Sequence, residues 1–494
     1  MATDPTTNAQ RQVGVLAVIG MAARVASQSM TLALLLLAGR FLSVELFGIF
    51  VLSSILMNFA VMQMYSGIYH YVLREPGFEE SRGTALSLQL LYGVAFSLII
   101  LLVSGLVYIA NWGDLLAVLI AATSAMPMLA VIGSWQEANV LRNGDVKFYY
   151  AALVSSEILG FLIGIWMLVT GFEIWSLIAS RYCTAIIVAA LLTLKSGLPG
   201  KLAWDRGSIR QIIDYSLALY GNSFLAFVSA YGAAIVLGGF LNAKAVGLYR
   251  MGSRTAGAAY DVFAQTFRVL TWQAVGRMAR EKRLSPNLWI RMVALNFSIM
   301  AFALGSLSIL AEELTLVLLG PEWLGMVPVL QIICFVKVLA SVDQIGAAQL
   351  AAVGETRFLL RARMIQVGIL MCSLLVTVQF GMVAVAWGLF PPTLVYLYLM
   401  LRKLIRYTEI DAATVIRTIA PGILISACGL VTVFLLSILF QNKSAFVSIP
   451  AIAAIGLGVY IGVAFIPLRN WTITSLQTVS TAILPRRPES AAEA

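Results

Sequence analysis

The chain has 494 residues, of which 60% are hydrophobic and only 11% charged, and its formal net charge is +10. Soluble domains are about 45–50% apolar and about 25% charged, so a soluble enzyme, a disordered chain and a nucleic-acid-binding domain are excluded. A mean hydropathy of +0.91 leaves a polytopic membrane protein built from spanning helices.

A bilayer-crossing helix needs about 20 mostly apolar residues. That length predicts fourteen spans, at 13–38, 46–70, 84–110, 115–141, 148–170, 174–194, 211–240, 245–276, 288–310, 326–353, 361–380, 383–402, 415–440 and 446–467. The first twelve residues are polar, and the long apolar run after them holds Arg24, so the start reads as a retained first helix, not a cleaved signal. Gly381 divides the eleventh span from the twelfth.

Lysine and arginine fall unevenly between these spans. Even-numbered connections and the two tails hold 24 of the 33, whereas odd-numbered connections hold Arg40, Lys244 and Lys443 alone. The bias places the even side, with both termini, in the cytoplasm. It also accounts for the positive net charge without any nucleic acid partner.

Two pairs of segments repeat. Phe41-Leu42-Ser43-Val44-Glu45-Leu46-Phe47-Gly48 joins spans 1 and 2, and Phe240-Leu241-Asn242-Ala243-Lys244-Ala245-Val246-Gly247 joins spans 7 and 8, at an offset of 199. Asn143-Gly144-Asp145-Val146-Lys147-Phe148 follows span 4, and Val353-Gly354-Glu355-Thr356-Arg357-Phe358 follows span 10, at an offset of 210. Together they read as a duplicated six-helix unit in parallel orientation, a known transporter plan. Taken singly, Gly-acid-x-base is simply a good turn between helices. The expected fold is therefore all-α and polytopic, with about fourteen transmembrane helices. Two six-helix lobes, 1–200 and 201–410, surround a central cavity, and 411–494 adds two C-terminal helices and a cytoplasmic tail.

Ionisable residues inside a membrane are costly and mark a cavity or a partner. Span 8 places Arg250, Arg254, Asp261, Gln265, Arg268 and Trp272 within a sector of roughly 60°. Such a stripe lines water or an anion path, or lies buried against neighbouring helices with Asp261 neutralising one arginine. Span 1 aligns Arg24 and Gln28, with Arg24 near mid-membrane. Span 2 aligns Asn58, Tyr65 and Tyr69, and span 7 aligns Tyr215 and Asn222. If the lobes face one another, these stripes line a cationic, hydroxyl-rich and aromatic-rich cleft suited to phosphate and sugar. Glu157 and Arg181 are deep enough to pair with each other. Glu157 and Asp343 are the acids available for ion coupling, and Asp343 points about 120° away from Lys337 on span 10.

Other chemistry is missing from the sequence. Cys183, Cys334, Cys372 and Cys428 lie in apolar segments without metal-ligand spacing, and His70 is the sole histidine, so neither a metal site nor a catalytic triad is expected. Gly197-Leu198-Pro199-Gly200-Lys201-Leu202 is not a phosphate-binding loop, because it lacks the closing Ser or Thr. No cofactor is implied.

The segment Ala38-Gly39-Arg40-Phe41-Leu42 leading to Phe47-Gly48-Ile49-Phe50, with Gly320-Pro321-Glu322-Trp323 before span 10, resembles the multidrug/oligosaccharidyl-lipid/polysaccharide exporter superfamily. Within it the chain is similar to the bacterial polysaccharide transporters, the Wzx-type flippases, and among those to the succinoglycan-type exporters of rhizobia. The resemblance implies a flippase of the bacterial inner membrane. Its substrate would be a polyprenyl-diphosphate-linked oligosaccharide repeat unit for exopolysaccharide or lipopolysaccharide, moved by alternating access, with a polysaccharide polymerase or co-polymerase as a partner. Related lipid-linked peptidoglycan-precursor flippases use cavity arginines of helices 1 and 8, which implies Arg24 and Arg254, with Arg268, as diphosphate ligands here. Those relatives also carry a cavity arginine in helix 2, which this chain lacks. Helices 13 and 14 lie beyond the repeat and are candidates for holding the polyprenyl tail. A cation-coupled drug exporter of the same superfamily and a membrane glycan polymerase are the alternatives.

Overall fold

The computed structural model describes residues 5–280, 286–408, 410–440 and 445–483. Lys282, Arg283, Lys443, Arg486 and Arg487 from the charge count lie outside them. Every predicted span is helical: α1 (Pro5–Phe41), α2 (Val44–Arg74), α3 (Phe78–Ile109), α4 (Asp114–Arg142), α5 (Val146–Val169), α6 (Trp175–Ser196), α7 (Arg206–Phe240), α8 (Ala243–Arg280), α9 (Pro286–Ile309), α10 (Pro321–Ala352), α11 (Thr356–Phe380), α12 (Met382–Thr408), α13 (Ala412–Leu439) and α14 (Ala445–Phe465). Among the described residues, thirteen helices are long and apolar enough to cross a membrane. The predicted span outside that count is α8, whose apolar run is broken by Arg250, Arg254, Asp261 and Arg268.

Three local features depart from uniform spans. First, α4 is interrupted after Ala122 and resumes at Met126. Pro127 opens the second piece, and its missing N–H cannot continue the ladder. Met126 N–H turns to Thr123 O at 3.1 Å, and the carbonyl of Ala122 accepts from the Tyr182 hydroxyl at 2.6 Å. Second, α2 stops at Met64 and restarts at Gly67. Third, the tail after α14 forms a further helix, α15 (Arg469–Ile483). It is tied down by Trp471 Nε1 donating to Thr418 O at 2.9 Å and by Arg291 donating to Ser475 Oγ at 3.3 Å.

The repeated segments adopt matching structures. Ser43 Oγ caps α2 by accepting from Leu46 N–H at 3.3 Å, and Asn242 Oδ1 caps α8 by accepting from Ala245 N–H at 2.9 Å. The first turns of these two helices then pack on each other. A Cβ at Gly48 would collide with the carbonyl of Ala243, and one at Gly247 would collide with the carbonyl of Val44. Val44 and Ala243 are 199 positions apart, as are Gly48 and Gly247. Each copy of the motif thus presents the same residues to the other, which is the contact a two-fold relation produces. Small residues permit this approach, and close approach is what joins helices in lipid, where exclusion of water contributes nothing.

The second repeat is equally faithful. Gly144 and Gly354 turn with φ of +83° and +85°. Asp145 N–H donates to Val140 O at 3.1 Å and Glu355 N–H to Leu350 O at 2.9 Å. A good turn accounts for that much. It does not account for the lysine that closes each turn from the far end of the following helix hairpin. Lys195 pairs with Asp145 at 3.4 Å and lies 5.9 Å from the Phe148 ring centre. Lys403 pairs with Glu355 at 2.8 Å and lies 5.5 Å from that of Phe358. The acid and the aromatic of the motif are thus the two halves of one lysine seat, present in both copies.

Contacts divide the chain into two compact units, Met1–Arg250 and Met251–Ala494. In the first unit α7 packs along α2 and α3, and a buried core of Ile68, Tyr71, Phe78, Trp135 and Ile212 joins them. In the second, Trp289 and Met292 of α9 pack with Ile345 of α10 and with Tyr396 and Met400 of α12.

Candidate functional site

The break in α2 is built by its neighbours. Gly67 has a φ of +26°, and a Cβ there would run into the Tyr220 ring from α7. Every broken helix frees backbone groups that lipid cannot satisfy. Here Gln89 from α3 donates to Met64 O at 3.1 Å, and Ile68 N–H donates to the Tyr220 hydroxyl at 3.3 Å. The Ser66 hydroxyl in turn donates to Leu219 O at 3.1 Å. Tyr65, at the break, and Tyr69, one turn beyond it, lie with ring centres 5.7 Å apart.

These two tyrosines meet a residue that pattern reading passed over. The Tyr69 hydroxyl donates to Glu137 Oε1 of α4 at 2.9 Å. Tyr149 of α5 lies close enough to interact with the same carboxylate. Arg24 of α1 lies within electrostatic reach of both Glu137 and Tyr149, and its side chain is exposed. Gly20, one turn before Arg24, provides the room: a Cβ there would meet the Tyr150 hydroxyl, so α1 and α5 can close together. Gly133, one turn before Glu137, gives Tyr65 the same room. Arg24, Tyr65, Tyr69, Glu137 and Tyr149 thus form one polar cluster drawn from four helices of the first unit.

Its depth follows from helix geometry. Tyr69 and Glu137 are each five residues from the basic ends of α2 and α4 at Arg74 and Arg142, about 7.5 Å at 1.5 Å per residue. Arg24 is 17 residues from the opposite end of α1 at Phe41, about 25 Å. It is therefore well removed from that end of α1.

The remaining first-unit candidates are spread around this cluster. Glu157 and Arg181 line a cavity of about 250 Å³ together with Thr31, Tyr65 and Ser180. Ser27 hydrogen-bonds to Glu157, and Arg181 attracts it electrostatically. Asn58 donates back to Ser54 O of its own helix at 2.7 Å. Gln28 is half-buried and Asn222 is exposed. Arg250 lies 4.4 Å from the Tyr231 ring centre and donates to Ala230 O at 3.3 Å.

The second unit holds a separate charged cluster. Lys337 of α10 feels Asp261 and Arg254 of α8 and Asp343 of its own helix, and Asp343 is also attracted by Arg363 of α11. Asp343 acts on Lys337 only through space, since the helix turns the two about 120° apart. Lys337 Nζ is 4.9 Å from the Tyr260 ring centre, and Gln344 donates to the Tyr260 hydroxyl. Asp261 and Gln265 are half-buried, and Arg268 is exposed. Among the described residues no group of three or more His, Cys, Asp or Glu is placed to hold a metal ion.

This architecture has solved counterparts. The chain is similar to lipid II flippase MurJ in an inward closed conformation, with a TM-score of 0.70 and 13% identity, covering 92% of this chain and 99% of that one. It is also similar to an inward-facing multidrug resistance MATE family transporter of the MOP superfamily, with a TM-score of 0.59 and 15% identity, covering 78% of this chain and 96% of that one. At such identities the likeness is one of fold, and it defines an all-helical fold with many membrane-spanning helices. A family described as polysaccharide biosynthesis protein matches residues 36–328. The chain belongs to that family. Over 253 residues it is 22% identical to the succinoglycan biosynthesis transport protein ExoT of Rhizobium meliloti (strain 1021), a match covering 46% of this chain and 51% of that one. The chain thus spans about half the length of the curated relative it matches.

Proposed function

We propose that the protein is a flippase, not an enzyme. It carries polyprenyl-diphosphate-linked oligosaccharide repeat units from the cytoplasmic to the periplasmic leaflet of a bacterial inner membrane. Both termini are cytoplasmic, and transport proceeds by alternating access. The observation that carries this reading is the Arg24 cluster. An exposed guanidinium in a cluster that also holds tyrosines offers a forked donor for phosphate oxygens and aromatic faces for sugar. Arg254 and Arg268 on α8 are the further cationic candidates for the diphosphate, and Glu157 and Asp343 the candidates for ion coupling. A polysaccharide polymerase or co-polymerase receives the flipped unit. The polyprenyl tail stays in lipid, with α13 and α14 as its candidate groove.

The test is a deletion strain complemented by variants. Loss of surface polysaccharide, with intact lipid-linked repeat units accumulating in the cytoplasmic leaflet, is the expected outcome. Wild type restores export and Arg24→Ala does not, although the variant inserts normally. Repeat units already in the outer leaflet would move the defect to polymerisation. Unchanged glycans would refute the reading and favour a drug exporter, which a susceptibility assay detects.

A further inference from the structure

We propose that Glu137 is an affinity-setting residue: a tethered carboxylate that competes with substrate phosphate for Arg24, so that the anion can be released after it has been carried. The inference rests on the flippase reading and adds a residue to its site.

The argument starts from charge. A lone arginine within a span is costly, and a lone arginine facing a diphosphate in a low-dielectric setting would hold it too tightly to let go. Passage through a membrane needs binding strong enough to load and weak enough to leave. Glu137 meets both needs. Without substrate, its carboxylate lies within electrostatic reach of Arg24. With substrate, it adds a fixed negative charge beside the phosphate.

The tyrosines give the carboxylate its place. Tyr69 donates to it at 2.9 Å, and Tyr149, from a different helix, lies close beside it. The Tyr69 hydrogen bond, with Tyr149 beside it, holds the group where it is, so it offsets the guanidinium electrostatically instead of folding over it. His70 meets the Tyr69 ring edge-to-face at 5.2 Å, and Tyr65 closes the set.

The experiment measures binding of undecaprenyl diphosphate to the full chain in nanodiscs, alongside flipping. Glu137→Gln keeps an oxygen that can accept from Tyr69 and Tyr149 but removes the charge. It should bind about tenfold tighter and turn over more slowly. In an Arg24→Ala background the same substitution should change affinity little, because the competition acts through Arg24. Equal or weaker binding by a folded Glu137→Gln variant overturns the proposal. Should that variant not fold, Tyr69→Phe with Tyr149→Phe provides the second arm. Freed from its tethers, the carboxylate closes on Arg24 and weakens binding several-fold, and unchanged affinity overturns the proposal. Wild-type binding with an indifferent Glu137→Gln overturns the role of Glu137 alone. Failure of wild type and all variants to bind overturns the flippase reading with it.

Discussion

Gly48→Ala and Gly247→Ala test the reciprocal contact between α2 and α8. Each adds one methyl group where a carbonyl of the other helix stands, Ala243 in the first case and Val44 in the second. Restoring an ordinary contact requires the first turns to part by roughly 1 Å or more. Overpacking of this kind costs about 2–3 kcal/mol. If the sites were independent, the double variant would lose about 4–6 kcal/mol. They are not independent, because one separation makes room for both methyl groups. The double variant should therefore lose nearer 3 kcal/mol, a coupling of about 2 kcal/mol. Reversible unfolding in mixed detergent and SDS micelles, followed by tryptophan fluorescence, reads these differences. Gly458→Ala is the control, since its Cβ meets nothing within 4 Å. Additive losses, or single variants as stable as the control, would refute the two-fold packing argument.

The lysine seats should matter modestly. Lys195→Met and Lys403→Met should each lose at most about 1 kcal/mol, because both pairs are partly exposed. The loss should shrink in high salt, and a salt-independent loss would assign the effect to packing of the stem. Asp205, which caps α7, gives a pH dependence. Its carboxylate accepts from Ser208 N–H at 2.7 Å, and that bond holds its pKa below the ordinary carboxylate value. The sign follows: the cap is fully present above the unfolded value of about 3.9 and is lost as pH falls through the lower folded value. Amide-exchange protection of Ser208 should fall across that window and be weak at every pH in Asp205→Ala. Flat protection in wild type would remove the cap from the account.

What could be read from the chain without coordinates is what depends on neighbours in sequence. Apolar length marks each span because a helix in lipid satisfies its own backbone. The split at Gly381 is local for the same reason, since its φ of +93° favours glycine wherever the chain lies. The repeats are visible because Ser43 and Asn242, and Gly144 and Gly354, act on their own turns. Arg24 is conspicuous because a charge in an apolar run stands out in one dimension.

Glu137 is not conspicuous in that way. It lies five residues from a basic helix end, where a carboxylate needs no explanation. Its place emerges only when α2 and α5 pack against α4 and α1 packs along α5, drawing residues 24, 69, 137 and 149 together. The break at Tyr65–Ser66 likewise depends on a Tyr220 ring more than 150 positions away. Lys337 of α10 meets Asp261 and Arg254 of α8 by the same route. Sequence periodicity fixes the direction of a side chain from its own helix axis. Which charge it meets there is set by the neighbouring helices, and only the tertiary structure decides that.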